Sequence, residues 1–337
     1  MVGKKKLLAR GADWSGAIRM MEFLPSKLSL IVLNYHRIGA ADRTPYDSGT
    51  YSATTADFSW QVAHLQKRFP IINLSEATDI VHGRSKPGRP CILLTFDDAY
   101  LDNYDEAFPV LRKHRACAAF FLPTAFVGTG TLPWWDTIAC IAKNTRHHCI
   151  ALTYPHRATF DLSPLRRLQS IMRILTLFKS PAVVDRERFI ADLENACAHQ
   201  RPNGGERCFL NWNEARQMRD AGMSFGSHTH THEILSKLPA EGQLVELQTS
   251  RRILERELDS CVDTLAYPVG SRTSFSDATV GALYAANYRT AFSKHGGINI
   301  PGTIDPSNVL RVGISGEDRS TFKLRLALLA ARGESLV

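Results

Sequence analysis

The sequence predicts an α/β fold built on a parallel sheet, open or closed as a barrel. Three observations lead there. Short apolar runs recur at 28–33, 91–96, 117–121, 223–226, 264–267 and 288–292, and each reads as a buried strand. Longer stretches with helical spacing separate them, at 106–114, 213–221 and 241–258. The two types alternate, which is the pattern of strands joined by helical crossovers.

Taken in order, the elements carry different weights. In the N-terminal extension, 1–27, Leu7, Leu8, Trp14, Ile18 and Met21 recur at helical spacing, so a helix packed on the end of the barrel is expected. The strand and helix pattern then runs through 28–136 and resumes over 209–320. In the 241–258 segment Leu244, Leu247, Ile253, Leu254 and Leu258 form an apolar stripe. Glu241, Glu246, Arg251, Arg252, Glu255 and Glu257 supply its solvated face. The region 137–208, after Trp134-Trp135-Asp136, shows no convincing strand, only helix-like stretches at 163–178 and 185–198. It reads as a helical insertion or cap. A terminal helix or tail, 321–337, completes the chain.

At 337 residues the chain is long enough to bury a large core, and 44% apolar with 22% charged residues is ordinary for a globular enzyme. The net charge of +8 comes from scattered basic residues, so it reads as a mildly basic surface and nucleic acid is not an expected partner. Seven cysteines with no C-x-x-C pair suggest neither a disulfide framework nor a cysteine zinc site. Lys4-Lys5-Lys6 is followed by no secretory apolar core, and no run approaches a membrane span. The expected location is the cytoplasm or the inner membrane's face, held there by the basic N-terminus, with export left open.

Chemistry concentrates at two strand ends. The run 92–98 leaves an apolar strand with adjacent carboxylates, Asp97 and Asp98, a pair that more often marks a turn or helix cap when found alone. The segment 226–232 follows another apolar strand and carries His228, His230 and His232 at alternate positions. If it begins a helical turn, His228 and His232 share one face. One Asp with two His would make a three-ligand site with room for water, the pattern of a catalytic rather than a structural metal.

Together these segments resemble the polysaccharide deacetylase family, the NodB-homology or carbohydrate esterase family 4 group. Thr95-Phe96-Asp97-Asp98 matches its first motif, and His228-Thr229-x-Thr231-His232 its second. Leu265-Ala266-Tyr267-Pro268-Val269-Gly270 is similar to its A-Y-P-x-G form. Tyr35-His36-Arg37, Trp134-Trp135-Asp136 and the stretch 288–293 resemble a bacterial surface-polysaccharide subgroup. The resemblance covers roughly 29–315. It implies a distorted (β/α) barrel of the NodB type and removal of N-acetyl groups from an N-acetylated glycan. Asp98, His228 and His232 would hold a divalent ion, zinc by default, with Co2+ or Ni2+ as alternatives. Asp97 would be the base, and the Val269 backbone N–H would donate to the oxyanion. Substrate contacts are implied for Tyr267, Pro268, Trp135 and His36.

The sequence departs from the family pattern at three places. Ala99 replaces the usual Gly after the Asp pair, which is tolerable at negative φ. Ala266 stands where many members carry the Arg that orients the base, leaving Arg289 as the candidate. The stretch 310–314 offers no match for the general-acid histidine, leaving His295, with His36 as another candidate. Two further readings stay open: an inactive glycan-binding homologue, and an amidohydrolase-type barrel ligating through His228 and His230.

Overall fold

A computed structural model describes residues 2–21, 28–202 and 207–332. Its main sheet has seven strands: β1 (Leu30–Tyr35), β2 (Cys91–Asp97), β3 (Ala119–Leu122), β4 (Ser224–Ser227), β5 (Thr264–Ala266), β6 (Thr290–Phe292) and β7 (Val312–Gly313). All neighbours pair in parallel, in the spatial order β6-β5-β4-β3-β2-β1-β7. Phe292 of β6 also bridges Val309. The stretch 309–313 therefore touches both edges and curls the sheet into the distorted barrel. The six expected strands are present; β7 was not expected, because two residues flanked by polar ones give no apolar run.

Alternation along the strands sorts the side chains. Leu30 and Val32 of β1, Cys91 and Leu93 of β2, Ala119 and Phe121 of β3, Ala266 of β5 and Phe292 of β6 form one buried cluster inside the curl. Ile31, Leu33, Ile92, Leu94, Phe96 and Phe120 belong to a second cluster, beneath the surrounding helices. Both faces being buried explains why the strands read as unbroken apolar runs. Asp97 has the parity of Cys91 and Leu93, so it continues the interior face. Gly226 keeps β4 thin there: an added Cβ would lie 2.5–2.6 Å from the Phe121 ring and 2.7 Å from Thr264 Oγ1. Gly226→Ala is expected to destabilise the protein by about 1–3 kcal/mol through overpacking, read as a lower urea midpoint at unchanged m-value.

A second compact unit comprises residues 40–50 and 129–208. It contains the helices Trp134–Asn144, Arg167–Lys179 and Arg186–Cys197. It also contains an antiparallel hairpin, Cys149–Leu152 with Ala158–Asp161, which corrects the all-helical reading of 137–208. Each strand has only four residues, too few for the alternation of buried Ile150 and Leu152 with exposed Cys149 and Ala151 to stand out. The unit starts before the tryptophan pair rather than after it. Trp134 meets Trp135 edge-on at 5.0 Å and stacks on Phe178 at 4.7 Å, and Phe178 meets Phe189. Trp135, expected at the substrate, is 4% exposed and belongs to this core, so its ring offers no open face for a sugar.

The N-terminal helix Val2–Trp14 packs on the C-terminal helix Arg319–Arg332, tied by Asp13 to Lys323 at 3.0 Å. Ala9 and, in the short helix Ala17–Met21, Ile18 are buried. The apolar residues expected to seat the extension are mostly not the ones that do. Leu7, Leu8 and Trp14 are 74%, 71% and 93% exposed.

Candidate active site

β2 ends by delivering Asp97 to the barrel interior, and the backbone then turns left-handed, with φ of 76° at Asp98 and 60° at Ala99. Ala99 thus adopts the conformation that favours the family's usual Gly, against the expectation of a negative φ. β4 ends at Ser227, and 228–232 turns back with left-handed Thr229 and His232. The turns bring Asp98 Oδ1 to 3.4 Å from His228 Nε2 and 3.3 Å from His232 Nε2. These three ligand atoms lie within 4.8 Å of one another, all buried.

Protonation geometry shows what the cluster fits. His228 Nδ1 stands 2.7 Å from the Ala266 carbonyl, which can only accept, so the proton lies on Nδ1 and the Nε2 lone pair faces Asp98. Asp98 Oδ1 is buried and accepts no hydrogen bond among the described residues. A carboxylate oxygen facing the His228 lone pair inside the protein is costly unless a cation lies between them. One carboxylate and two imidazoles fit a divalent metal. His230 points elsewhere, its Nδ1 2.8 Å from Thr124 Oγ1, which weighs against the His228–His230 amidohydrolase reading.

Glu246 holds the histidine loop. Read from sequence as part of a solvated face, it sits in the helix Ala240–Leu258. It accepts from the His230 and Thr231 backbone N–H groups at 2.9 and 2.8 Å and from the Thr231 hydroxyl at 2.7 Å. Glu246→Ala is expected to weaken metal affinity about 10–100-fold while the protein stays folded, measured by competition with a chromophoric chelator. Unchanged affinity would reduce Glu246 to a loop anchor without influence on the ligands.

Asp97 is held by a residue other than the one the sequence pointed to. Arg311 Nη1 donates to Asp97 Oδ1 at 2.7 Å and Nη2 to Oδ2 at 2.8 Å, with both side chains buried. The guanidinium also lies over Phe121, 5.6 Å from the ring centre. Burial pushes the Asp97 carboxyl up, but Arg311 and then His228 outweigh it and bring it to about 2. Arg289 does not take this role. It precedes β6, at the opposite end of the strand, beside Asp263 and Tyr284. The available signal was a lone cation in the apolar stretch Val309-Leu310-Arg311-Val312, since a buried charge requires a partner.

His36, directly after β1, lies within the electrostatic reach of both Asp97 and Asp98. Its backbone is clamped by Ser52, whose hydroxyl accepts its N–H at 3.0 Å, and by Asn103, which donates to its carbonyl at 2.7 Å. Lys294 Nζ stands 3.4 Å from its Nε2. Burial, then the Lys294 charge, lower the imidazole to about 3 against the pull of the carboxylates. His295 is placed differently, its ring 5.6 Å from Phe275, with Arg272 as its charged neighbour.

The 267–270 turn also departs from its expected use. Tyr267 is buried, stacked on Phe275 at 4.1 Å with its hydroxyl donating to the Ser307 carbonyl, and Pro268 is buried beside it. Both shape the turn and offer no free face to a substrate. Val269 is half-buried at φ 64°, a strained position for a β-branched residue. Its N–H donates no hydrogen bond among the described residues. Gly270 locks the turn against the exit of β6, since an added Cβ would lie 2.8 Å from the Lys294 nitrogen.

The family model "Polysaccharide deacetylase" matches residues 84–291. YxkH of Bacillus subtilis, named for the same family, is 30% identical over 104 residues, which take in 31% of this chain and 34% of that protein. Among solved structures, the deacetylase PplD of Streptococcus pyogenes aligns with a TM-score of 0.58 at 18% identity, over 90% of this chain and 99% of that one. IcaB of Ammonifex degensii gives 0.58 at 19% identity, over 91% and 98%. A de-N-acetylase of Aggregatibacter actinomycetemcomitans gives 0.52 at 16%, over 87% and 98%. These likenesses concern the fold.

Proposed function

The chain belongs to the polysaccharide deacetylase family, and from that premise we propose that it removes N-acetyl groups from N-acetylated sugars of a polysaccharide or its precursor. One observation carries this reading: a cation-fitting set, Asp98, His228 and His232, shares a barrel mouth with an ionised carboxylate outside it, Asp97. Those three residues would hold a divalent ion, zinc by preference, with cobalt or nickel able to replace it. Such an ion, when bound, polarises the acetyl oxygen and acidifies a water.

The remaining work falls to the chain. Asp97 takes the proton of the attacking water. Arg311 fixes the plane of that carboxylate and leaves each oxygen a second lone pair to receive it. The Val269 N–H donates to the oxyanion. The departing nitrogen needs a proton as the carbon–nitrogen bond breaks, and His36 is assigned to deliver it. Because His36 rests neutral, the proton it delivers has to be the one that Asp97 takes from the water, which restores the Asp97 carboxylate.

The test is acetate release from N-acetylglucosamine oligomers by protein stripped with a chelator and then reloaded. Activity is expected to vanish on stripping and return with zinc, and His228→Ala is expected to lose both metal and activity. Folded, zinc-loaded protein that releases no acetate from any N-acetylated glycan would refute the reading.

A further inference from the structure

We infer that the N-terminal helices form a docking face for an anionic phospholipid bilayer. Leu7 and Trp14, seven residues apart, fall within about 20° of each other around a 3.6-residue helix. Ala9 faces the opposite way, into the protein. The ion pair of Asp13 with Lys323 and its hydrogen bond from Ser320 fix that orientation, so the apolar stripe points outward by construction. Leu8 flanks it at 71% exposure, and Met20 of the next helix is 74% exposed.

Two features name the occupant. The first is charge: Arg19 is exposed near these apolar groups, Arg10 is exposed while pairing with Asp318 at 3.3 Å, Lys6 is half-buried, and residues 1–12 contain no acid. The second is a cavity of about 280 Å³ on the same unit, lined by Met21, Phe69, Leu326 and Ala330 together with Arg68 and Arg89. A cleft that joins an apolar floor to guanidinium groups suits a lipid that presents acyl chain and phosphate together. A nearly bare Trp beside Leu and Met, with basic neighbours, matches the interfacial layer of a bilayer, which is apolar below and anionic above. A second copy of the chain, equally basic at this face, would meet it with like charge. The inference does not depend on the proposed reaction.

The test is co-sedimentation of the full chain with vesicles of equal parts phosphatidylglycerol and phosphatidylcholine, against phosphatidylcholine alone. Binding is expected to the anionic vesicles only and to weaken with salt. Trp14→Ala and Leu7→Ser/Leu8→Ser are each expected to weaken it at least tenfold. Arg19→Glu/Arg89→Glu is expected to lower it by more than about fivefold per charge. His228→Ala should bind as wild type does. Wild-type protein left in the supernatant, equal binding by the Trp14 variant, or a Trp14-dependent dimer by light scattering without vesicle binding would each overturn the inference.

Discussion

Arg311→Met is expected to destabilise the protein by about 3–5 kcal/mol, because it leaves the buried Asp97 carboxylate without its cation. Urea unfolding at neutral pH measures the loss. The effect carries a pH signature. Asp97 is depressed to about 2 in the folded state, against an ordinary value of 3.8. In the wild type its contribution is therefore complete above about pH 4 and disappears as pH falls from there through 2. The variant should lack that acid-side loss, because burial alone raises the carboxyl and lets it be neutral at higher pH. The acidic limb of its kcat/KM profile should move upward for the same reason. Arg311→Lys keeps the charge but loses the two-point fork, so it should recover part of the stability and little of the orientation. If Arg311→Met unfolds at the wild-type midpoint, the pair is not what holds the carboxylate in the barrel.

Asp97→Asn is expected to lower acetate release by about 10²–10⁴-fold while metal content stays that of the wild type. The separation follows from geometry. Asp98 Oδ1 is within 3.4 Å of both ligand imidazoles, whereas Asp97 approaches His228 only to 3.9 Å and is held by Arg311. Metal analysis and acetate release on the same preparation distinguish a lost base from a lost ligand. Undiminished turnover would remove Asp97 from the reaction, and loss of metal with turnover would move it into the ligand set. Asp98→Asn should show that second pattern.

The metal-fitting half of this site was legible in the sequence because each of its residues follows an apolar run that had to be a strand. Asp98 follows β2 and His228 follows β4, and strand ends in a parallel sheet converge on one face. The carboxylate's partner was not legible. Arg311 sits beside β7, whose two residues give no periodic signal and whose place between β1 and β6 is known only once the sheet has curled. Glu246 was hidden differently: on a helix its spacing was that of a solvated face, and only the returning histidine loop makes it an acceptor. Trp135 and Tyr267 misled because aromatic rings near a sugar site and rings in a core look alike as letters. The Tyr267 face is taken by Phe275, and the Trp135 ring is buried in a T-shaped contact with Trp134. Ala99 kept its alanine at φ 60°, a departure that residue type alone could not reveal.

The seam at 309–313 has a kinetic consequence. It supplies the cation for Asp97 from 214 positions further along the chain and, in the same short segment, bridges β6 and flanks β1. A growing polypeptide that has already built β1 to β4 still carries an unneutralised acid on the inner face of its sheet. Closure therefore waits until 309–313 has been made, and the high sequence separation of this contact predicts a late, slow step in refolding. In that step the site and the barrel should mature together.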